Sequence, residues 1–533
     1  MLVIGDVSGI QDYVFDVAHA GGGQARRLRA RSFFVQILSE CAARRVLRKL
    51  NWEGKHLLLC GAGKFVLEGP GHDSAVIPDL EEERRAIEEW LISHTGGALR
   101  FSLAVSEGEG PEAYRIGLKH LTREKLRPWA QLSVTGGRWV SEKLVLDPLG
   151  KPCDVCRRAP AVIDERDADT GETRQVCRAC HNDVEIGRKL PGARWLVVRE
   201  LPGEHDFDVL GLGVNLYEHS FDGSDGAVIA IASLAEAQQW PASLPESKRI
   251  DRPLARHVPT EDGLPIEFEA LSLKSRGDPL LAVLKMDVDS LGKAFDHERR
   301  ISKDMQSSAK FGKEIDQFFA ADLQREMSGE PYCSLYTIFS GGDDLLLVGP
   351  WDIVLDFAGK VHDLFAARFR DRDLTISAGI SLFKRKRPIR NAVHDAEQQL
   401  EAAKHDKSPG ADDAKDQCAA LGQMWKWKDH DLIIGRAKQL AAWVESGAVE
   451  RGWLHTLLSF SLSRETSDAP VHARLARHVA RNYPKPDDRD SNKASFRKWA
   501  NELVDEFGSP NRPETIYLPT ILRYAITASR KEE

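Results

Sequence analysis

Leu335-Tyr336-Thr337-Ile338-Phe339-Ser340-Gly341-Gly342-Asp343-Asp344-Leu345-Leu346-Leu347-Val348-Gly349 reads as two short apolar strands joined by a turn with two glycines and two carboxylates. Glycine tolerates positive φ and lets a phosphate approach the backbone. Paired carboxylates attract hard cations such as Mg²⁺, which take oxygen ligands and bring phosphates with them. About fifty residues upstream, the strand-like run Leu281-Ala282-Val283-Leu284-Lys285-Met286 leads into a second acidic pair, Asp287 and Asp289. Two acidic clusters at strand ends suggest a two-metal nucleotidyl-transfer site. Asp287 and Asp343 are the first candidates for ligands, with Asp344 and Asp289 next. Lys404, on a later helix, either touches a triphosphate as a point charge or is a solvated helix lysine.

Working outward, residues 265–405 alternate strand and helix patterns. A helix is expected from about Ala309 to Met327 and another from Asp352 to Arg370; a strand at Leu374–Ile380 and a helix at Ile389–Lys404 follow. Residues 1–135 repeat that order, with a strand at Leu2–Ile4, a helix over about Arg31–Leu50, strands at His56–Cys60 and Phe65–Leu67, a helix over about Leu80–Ser93 and a strand at Leu99–Val105. The order βαββαβ is the ferredoxin-like pattern. Gly61-Ala62-Gly63-Lys64 takes the place of the acidic turn, so the first copy is a degenerate partner. Residues 136–264 are less regular, and residues 406–533 read as mainly helical.

Cys153-x-x-Cys156, twenty residues, then Cys177-x-x-Cys180 is a zinc pattern. Two such turns close a tetrahedral site with no open position, so the metal is expected to be structural and to staple a region with a poor core. Cys41, Cys60, Cys333 and Cys418 are scattered in apolar settings and read as ordinary thiols.

With 533 residues, 42% apolar and 29% charged, the chain is expected to hold several globular cores. It has no apolar run of about eighteen residues and no basic secretory n-region, so no membrane span and a cytoplasmic setting are expected. A net charge of −7 leaves RNA binding to local basic runs. Candidates are Arg26, Arg27, Arg29 and Arg31; Arg44, Arg45, Arg48 and Lys49; and Lys384 to Arg387, each of which is otherwise a solvated face. Gly21-Gly22-Gly23 lacks the P-loop ending and reads as a flexible loop that embraces RNA or a ligand. Six His-Asp dipeptides, among them His72-Asp73 and His362-Asp363, read as incidental.

Together these residues resemble the large palm-domain subunit of type III CRISPR effector complexes, most closely the Csm (type III-A) version. Gly5-Asp6-Val7-Ser8-Gly9-Ile10-Gln11 with Ala25 to Phe33 looks like the start of that family's first palm; Met286 to Gly292 and Ser340 to Asp344 look like the signatures of its second. The resemblance implies an α+β multidomain chain with two ferredoxin-like, cyclase-type palms. These would be a degenerate first palm at 1–135 and a second palm with the active site at 265–405, joined by a zinc-binding linker at 136–264 and followed by a helical domain at 406–533. It implies ATP as substrate, Mg²⁺ or Mn²⁺ at Asp287, Asp343 and Asp344 with Asp289 also catalytic, and Ser340, Gly341, Gly342 and Lys404 beside the nucleotide. The implied output is cyclic oligoadenylate, switched on by target RNA in a complex with CRISPR RNA and other effector subunits. Many relatives begin with an HD nuclease domain; this sequence starts at the first palm, so no DNase activity is expected of it. Two rivals stay open: a diguanylate-cyclase-like enzyme using GTP, and a catalytically silent scaffold. Adenine preference comes from the resemblance, not from any base-selecting residue.

Overall fold

A computed structural model describes residues 1–15, 24–61, 63–71, 76–135, 138–139, 150–166, 171, 173–219, 227–234, 240–241, 243–302, 305–385, 387–463, 471–482, 491–506 and 512–530. The chain divides into two compact units. One holds Met1–Glu267, Ser290–Asp344 and Pro388–Arg390; the other holds Phe268–Asp289, Leu345–Arg387 and Asn391–Glu533.

In the first unit, β1 (Leu2–Ser8), α1 (Gln24–Lys49), β2 (Leu57–Gly61), β3 (Lys64–Glu68), α2 (Val76–Thr95) and β4 (Arg100–Ser106) follow the expected order, and α3 (Gly110–Lys125) comes after them. The sheet order is β2-β3-β1-β4, with β1 antiparallel to both neighbours and Asp6 opposite Lys64. Leu2, Ile4, Val66, Ala104, Ala113 and Leu121 pack one face of this sheet against α3. Burying apolar side chains of this size stabilises the fold by roughly 1.5–3 kcal/mol each.

The cysteine region is a hairpin, β5 (Ile163–Arg166) with β6 (Thr173–Val176), followed by α4 (Arg178–Lys189). A separate five-stranded sheet spans Trp195 to Ile250 and has its own small core of Trp195, Val197, Val228, Ile231 and Leu244.

The later strands are β7 (Leu280–Val288), β8 (Tyr336–Gly341), β9 (Asp344–Pro350) and β10 (Ile376–Lys384). They stand in the order β8-β9-β7-β10, the same permutation as the first sheet. Helices α5 (Met305–Gln317), α6 (Trp351–Arg368) and α7 (Ile389–His405) lie between or after them. Gly379 on β10 explains how closely α7 packs: a Cβ there would meet Ala396 O at 2.1 Å and Leu400 N at 2.4 Å. Such a contact excludes any larger residue.

Two details depart from the sequence reading. The helix expected over 309–327 is interrupted by a π-helical stretch at Phe318–Asp322. Residues 417–426, read as part of a mainly helical region, form strands β11 (Gln417–Ala420) and β12 (Gln423–Lys426); β11 runs parallel to β10. Helices follow at His430–Glu445, Arg451–Ser463, Val471–Asn482, Ser491–Glu506, Pro513–Ile516 and Leu518–Ala528, with Trp443, Trp453, Phe496 and Trp499 packed ring against ring.

Candidate active site

The turn after β8 needs its glycines. Gly342 has φ +63°, a conformation that side chains resist. Its N–H donates to Asp316 Oδ1 at 2.9 Å. Ser340, expected beside the nucleotide, is 1% exposed, and its hydroxyl donates to Phe319 O at 2.5 Å, so it braces the turn. Asp343 and Asp344 are half-buried. Burial pushes the Asp343 carboxyl up, and Lys64 pulls it partly back. Both aspartates line a cavity of about 930 Å³ with Asp6, Lys64, Asp316, Arg252 and Tyr114. That volume lies at the upper end of small-molecule sites.

On the other acidic stretch the two carboxylates differ. Asp287 is half-buried near the end of β7, opposite Ser377 on β10, and pairs with Lys404 from α7. Asp289 is 3% exposed. It accepts from Thr375 Oγ1 at 2.8 Å, from Ser377 Oγ at 2.9 Å and from the Asp416 N–H at 3.0 Å. Burial raises its pKa, and those three donors act against the rise. Its oxygens are thus engaged by the protein. Asp416 and Lys415, which present that N–H, both sit at positive φ (49° and 71°), a strain that Asp289 helps hold.

Asp343 and Asp344 in the first unit and Asp287 in the second are carboxylates that could serve a metal ion. A set of three carboxylates suits a hard divalent cation such as Mg²⁺ or Mn²⁺. Cys153, Cys156, Cys177 and Cys180 form the second such group, with Cys156 Sγ and Cys177 Sγ 3.8 Å apart. Four thiolates at that spacing fit zinc. Among the described residues these are the two groups that could hold a metal, and neither contains a histidine.

Asp316 was missed by sequence reasoning, because a lone acid on an amphipathic helix carries no signal. The first basic run also needs correction as a candidate RNA surface. Arg27, Arg29 and Arg31 are 3%, 1% and 4% exposed. Arg31 pairs with Asp183 at 2.8 Å and reaches Cys180 Sγ at 3.2 Å; Arg27 pairs with Glu165; Arg29 donates to Ala255 O. Burial lowers the Arg29 pKa to about 10. Arg27 and Arg31 brace α1 against the cysteine region, and Arg29 ties it to the Ala255 carbonyl. Arg44 and Arg45 pair with Glu40 and Glu83, and Arg385 and Arg387 with Glu269 and Asp395. Gly21 to Gly23, His72-Asp73 and Lys386 lie outside the described residues. No described helix is long and apolar enough to cross a membrane.

Comparison with known proteins agrees with this layout. Residues 1–114 match the Csm1 subunit domain B family, and residues 280–414 match the Cas10/Cmr2 second palm domain family. Among curated proteins, the chain is 27% identical over 441 residues to the CRISPR system single-strand-specific deoxyribonuclease Cas10/Csm1 (subtype III-A) of Thermococcus onnurineus, covering 76% of this chain and 53% of that one. The protein of the same name from Mycobacterium tuberculosis is 26% identical over 575 residues, covering 100% and 67%. The chain therefore spans about half to two thirds of the length of these relatives. Among solved structures, a Csm1-Csm4 cassette in complex with AMPPNP superposes with TM-score 0.72 at 19% identity over 99% of this chain and 69% of that one. A cassette in complex with cA4 gives 0.71 at 18%, covering 99% and 70%. This chain is therefore similar to Csm1 domain B over residues 1–114 and to the Cas10/Cmr2 second palm over residues 280–414, and it shares the fold of Csm1-Csm4 cassettes.

Proposed function

We propose that this chain is the nucleotide-polymerising subunit of a type III-A CRISPR effector complex, making cyclic oligoadenylate from ATP when target RNA is bound. The observation that carries the reading is the acidic turn, whose Asp343 and Asp344 line a cavity of nucleotide size. In support, relatives of the same fold are described in complex with an ATP analogue and with cA4. The two sheets of equal strand order are read as ferredoxin-like palms, the first degenerate at 1–135 and the second active at 265–405. The zinc-binding linker is read at 136–264 and the helical domain at 406–533.

Asp287, Asp343 and Asp344 would hold Mg²⁺ or Mn²⁺. Bound there, the metal supplies a lowered pKa for the attacking 3′-hydroxyl and charge neutralisation on the α-phosphate and pyrophosphate. Gly341 and Gly342 keep the turn bare so that a phosphate can approach it, and Ser340 fixes its base. Lys404 stands on Asp287 and would transfer its charge to the triphosphate. Asp289 would act through Thr375, Ser377 and the Asp416 peptide, positioning the wall beside Lys404. Each turnover forms one bond from a 3′-oxygen to an α-phosphorus, breaks the α–β anhydride and releases pyrophosphate. Closing the chain on its own 5′ end repeats that exchange. The four cysteines would hold structural Zn²⁺. Partners on this reading are CRISPR RNA, target RNA and other effector subunits.

The test is to purify the chain with its co-expressed partners, add Mg²⁺ and target RNA, supply ATP and GTP separately, and identify products by mass. Cyclic adenylates from ATP support the reading. Consumption of GTP alone favours a diguanylate-cyclase-like enzyme, and no turnover of either nucleotide favours a silent scaffold.

A further inference from the structure

The acidic turn is tied down twice, and both ties run to the same short stretch of helix. Ser340 Oγ donates to Phe319 O, and the Gly342 N–H donates to Asp316 Oδ1. Asp316 is the penultimate residue of α5, and Phe319 lies in the π-helical stretch that follows. A π-helical turn widens the ladder, here with Leu323 N–H bonding back to Phe318 O, and such turns recur at functional sites. Phe319 O, within that turn, accepts from the serine. Asp316 then reaches over the glycines: a Cβ added at Gly341 would lie 3.1 Å from Asp316 Oδ1, and one at Gly61 would lie 3.9 Å from it. Asp316 also lines the cavity that Asp343 and Asp344 border.

We propose that Asp316 is a positioning residue for the reaction, which fixes the Gly341–Gly342 peptide through the Gly342 N–H and thereby aims Asp343 and Asp344 at the metal. This rests on the reading of the turn as a metal site. The tie is a single hydrogen bond from a backbone donor, so what matters is an acceptor oxygen at that point, not a charge. A part-buried N–H left without its acceptor is destabilising. The turn would escape that cost by moving, and a metal ligand displaced by about 1 Å is enough to lose on the order of 10²-fold in rate.

The experiment compares wild type, Asp316→Asn and Asp316→Ala in the assembled complex by hydrogen–deuterium exchange of the peptide covering residues 335–349, Mn²⁺ titration with a non-hydrolysable ATP analogue, and ATP turnover. Expected for Asp316→Ala are faster exchange in that peptide, Mn²⁺ affinity lowered about tenfold and kcat lowered more than KM is raised. Asp316→Asn keeps an acceptor oxygen and should stay within about threefold of wild type in all three. Unchanged exchange in Asp316→Ala overturns the proposal. So does an Asn variant that loses Mn²⁺ as badly as the Ala variant while its exchange stays normal, since that would make Asp316 a ligand. If the wild type makes no product, the functional reading fails, yet exchange and Mn²⁺ affinity still decide the role of Asp316.

Discussion

The two sheets with the same strand order carry an aspartate near the same place and treat it oppositely. In the first, Asp6 on β1 faces Lys64 in register and is held by Lys125 at 2.6 Å and Lys64 at 3.8 Å. In the second, Asp287 on β7 pairs with Lys404, and the turn that stands where the first copy has Lys64 carries two carboxylates, Asp343 and Asp344. Lysines beside Asp6 neutralise it with the protein's own charge. Lys404 meets Asp287 and Lys64 acts on Asp343, but the second set holds more acid than these lysines offset, which favours an added cation. On the proposed reading, one strand order would serve as a self-neutralised pocket wall in one copy and as a metal site in the other, depending on whether lysine or aspartate follows the glycine turn.

The sharpest way to break that contrast is to remove each aspartate in turn. Asp287→Ala should lower ATP turnover about 10³-fold, within the range seen when a preorganised charge contact in a transition state is lost. Asp6→Asn should lower it less than about tenfold. Equal losses, read by initial rates at saturating Mg²⁺, would erase the difference between the copies.

A second prediction concerns what holds the first sheet's helix. Arg31 on α1 is buried against Asp183 on α4. Asp183→Ala leaves that cation without its carboxylate and should cost about 3 kcal/mol of stability, measured by denaturant unfolding. A change below about 1 kcal/mol would return the arginine run to the status of a surface.

The smallest effect compares one histidine from each unit. Burial lowers the pKa of both His257 and His430 to about 4 from the usual 6.5. Each stays neutral when folded while the unfolded chain takes up a proton below about 6.5. The stability they support is therefore whole above pH 6.5 and declines as pH falls toward 4. His430→Gln should flatten part of the fall in melting temperature between pH 7 and 5. An unchanged slope would show that His430 takes no part in it.

Much of this was legible in the sequence because local chemistry announced it. The Gly-Gly-Asp-Asp hairpin, the spacing of the four cysteines and the repeated element order each combine residue types that rarely coincide by chance. What escaped depends on contacts between distant residues. Asp289 looks like Asp287 two positions on and would share its face if the strand continued, but the strand ends at Val288 and the Asp289 carboxylate is taken up by Thr375 and Ser377. Arg27, Arg29 and Arg31 look like an RNA-binding run until Asp183, Glu165 and Ala255 arrive from elsewhere to bury them. β11 and β12 are only four residues each, shorter than the window in which periodicity can be read.

The most direct test of the central claim is to crystallise the chain with Mn²⁺ and a non-hydrolysable ATP analogue and locate the manganese by its anomalous signal. The account predicts peaks at the carboxylates of Asp287, Asp343 and Asp344, bridged to the triphosphate. Manganese bound only at Asp6 or Asp289, or a triphosphate seated away from the acidic turn, would contradict it.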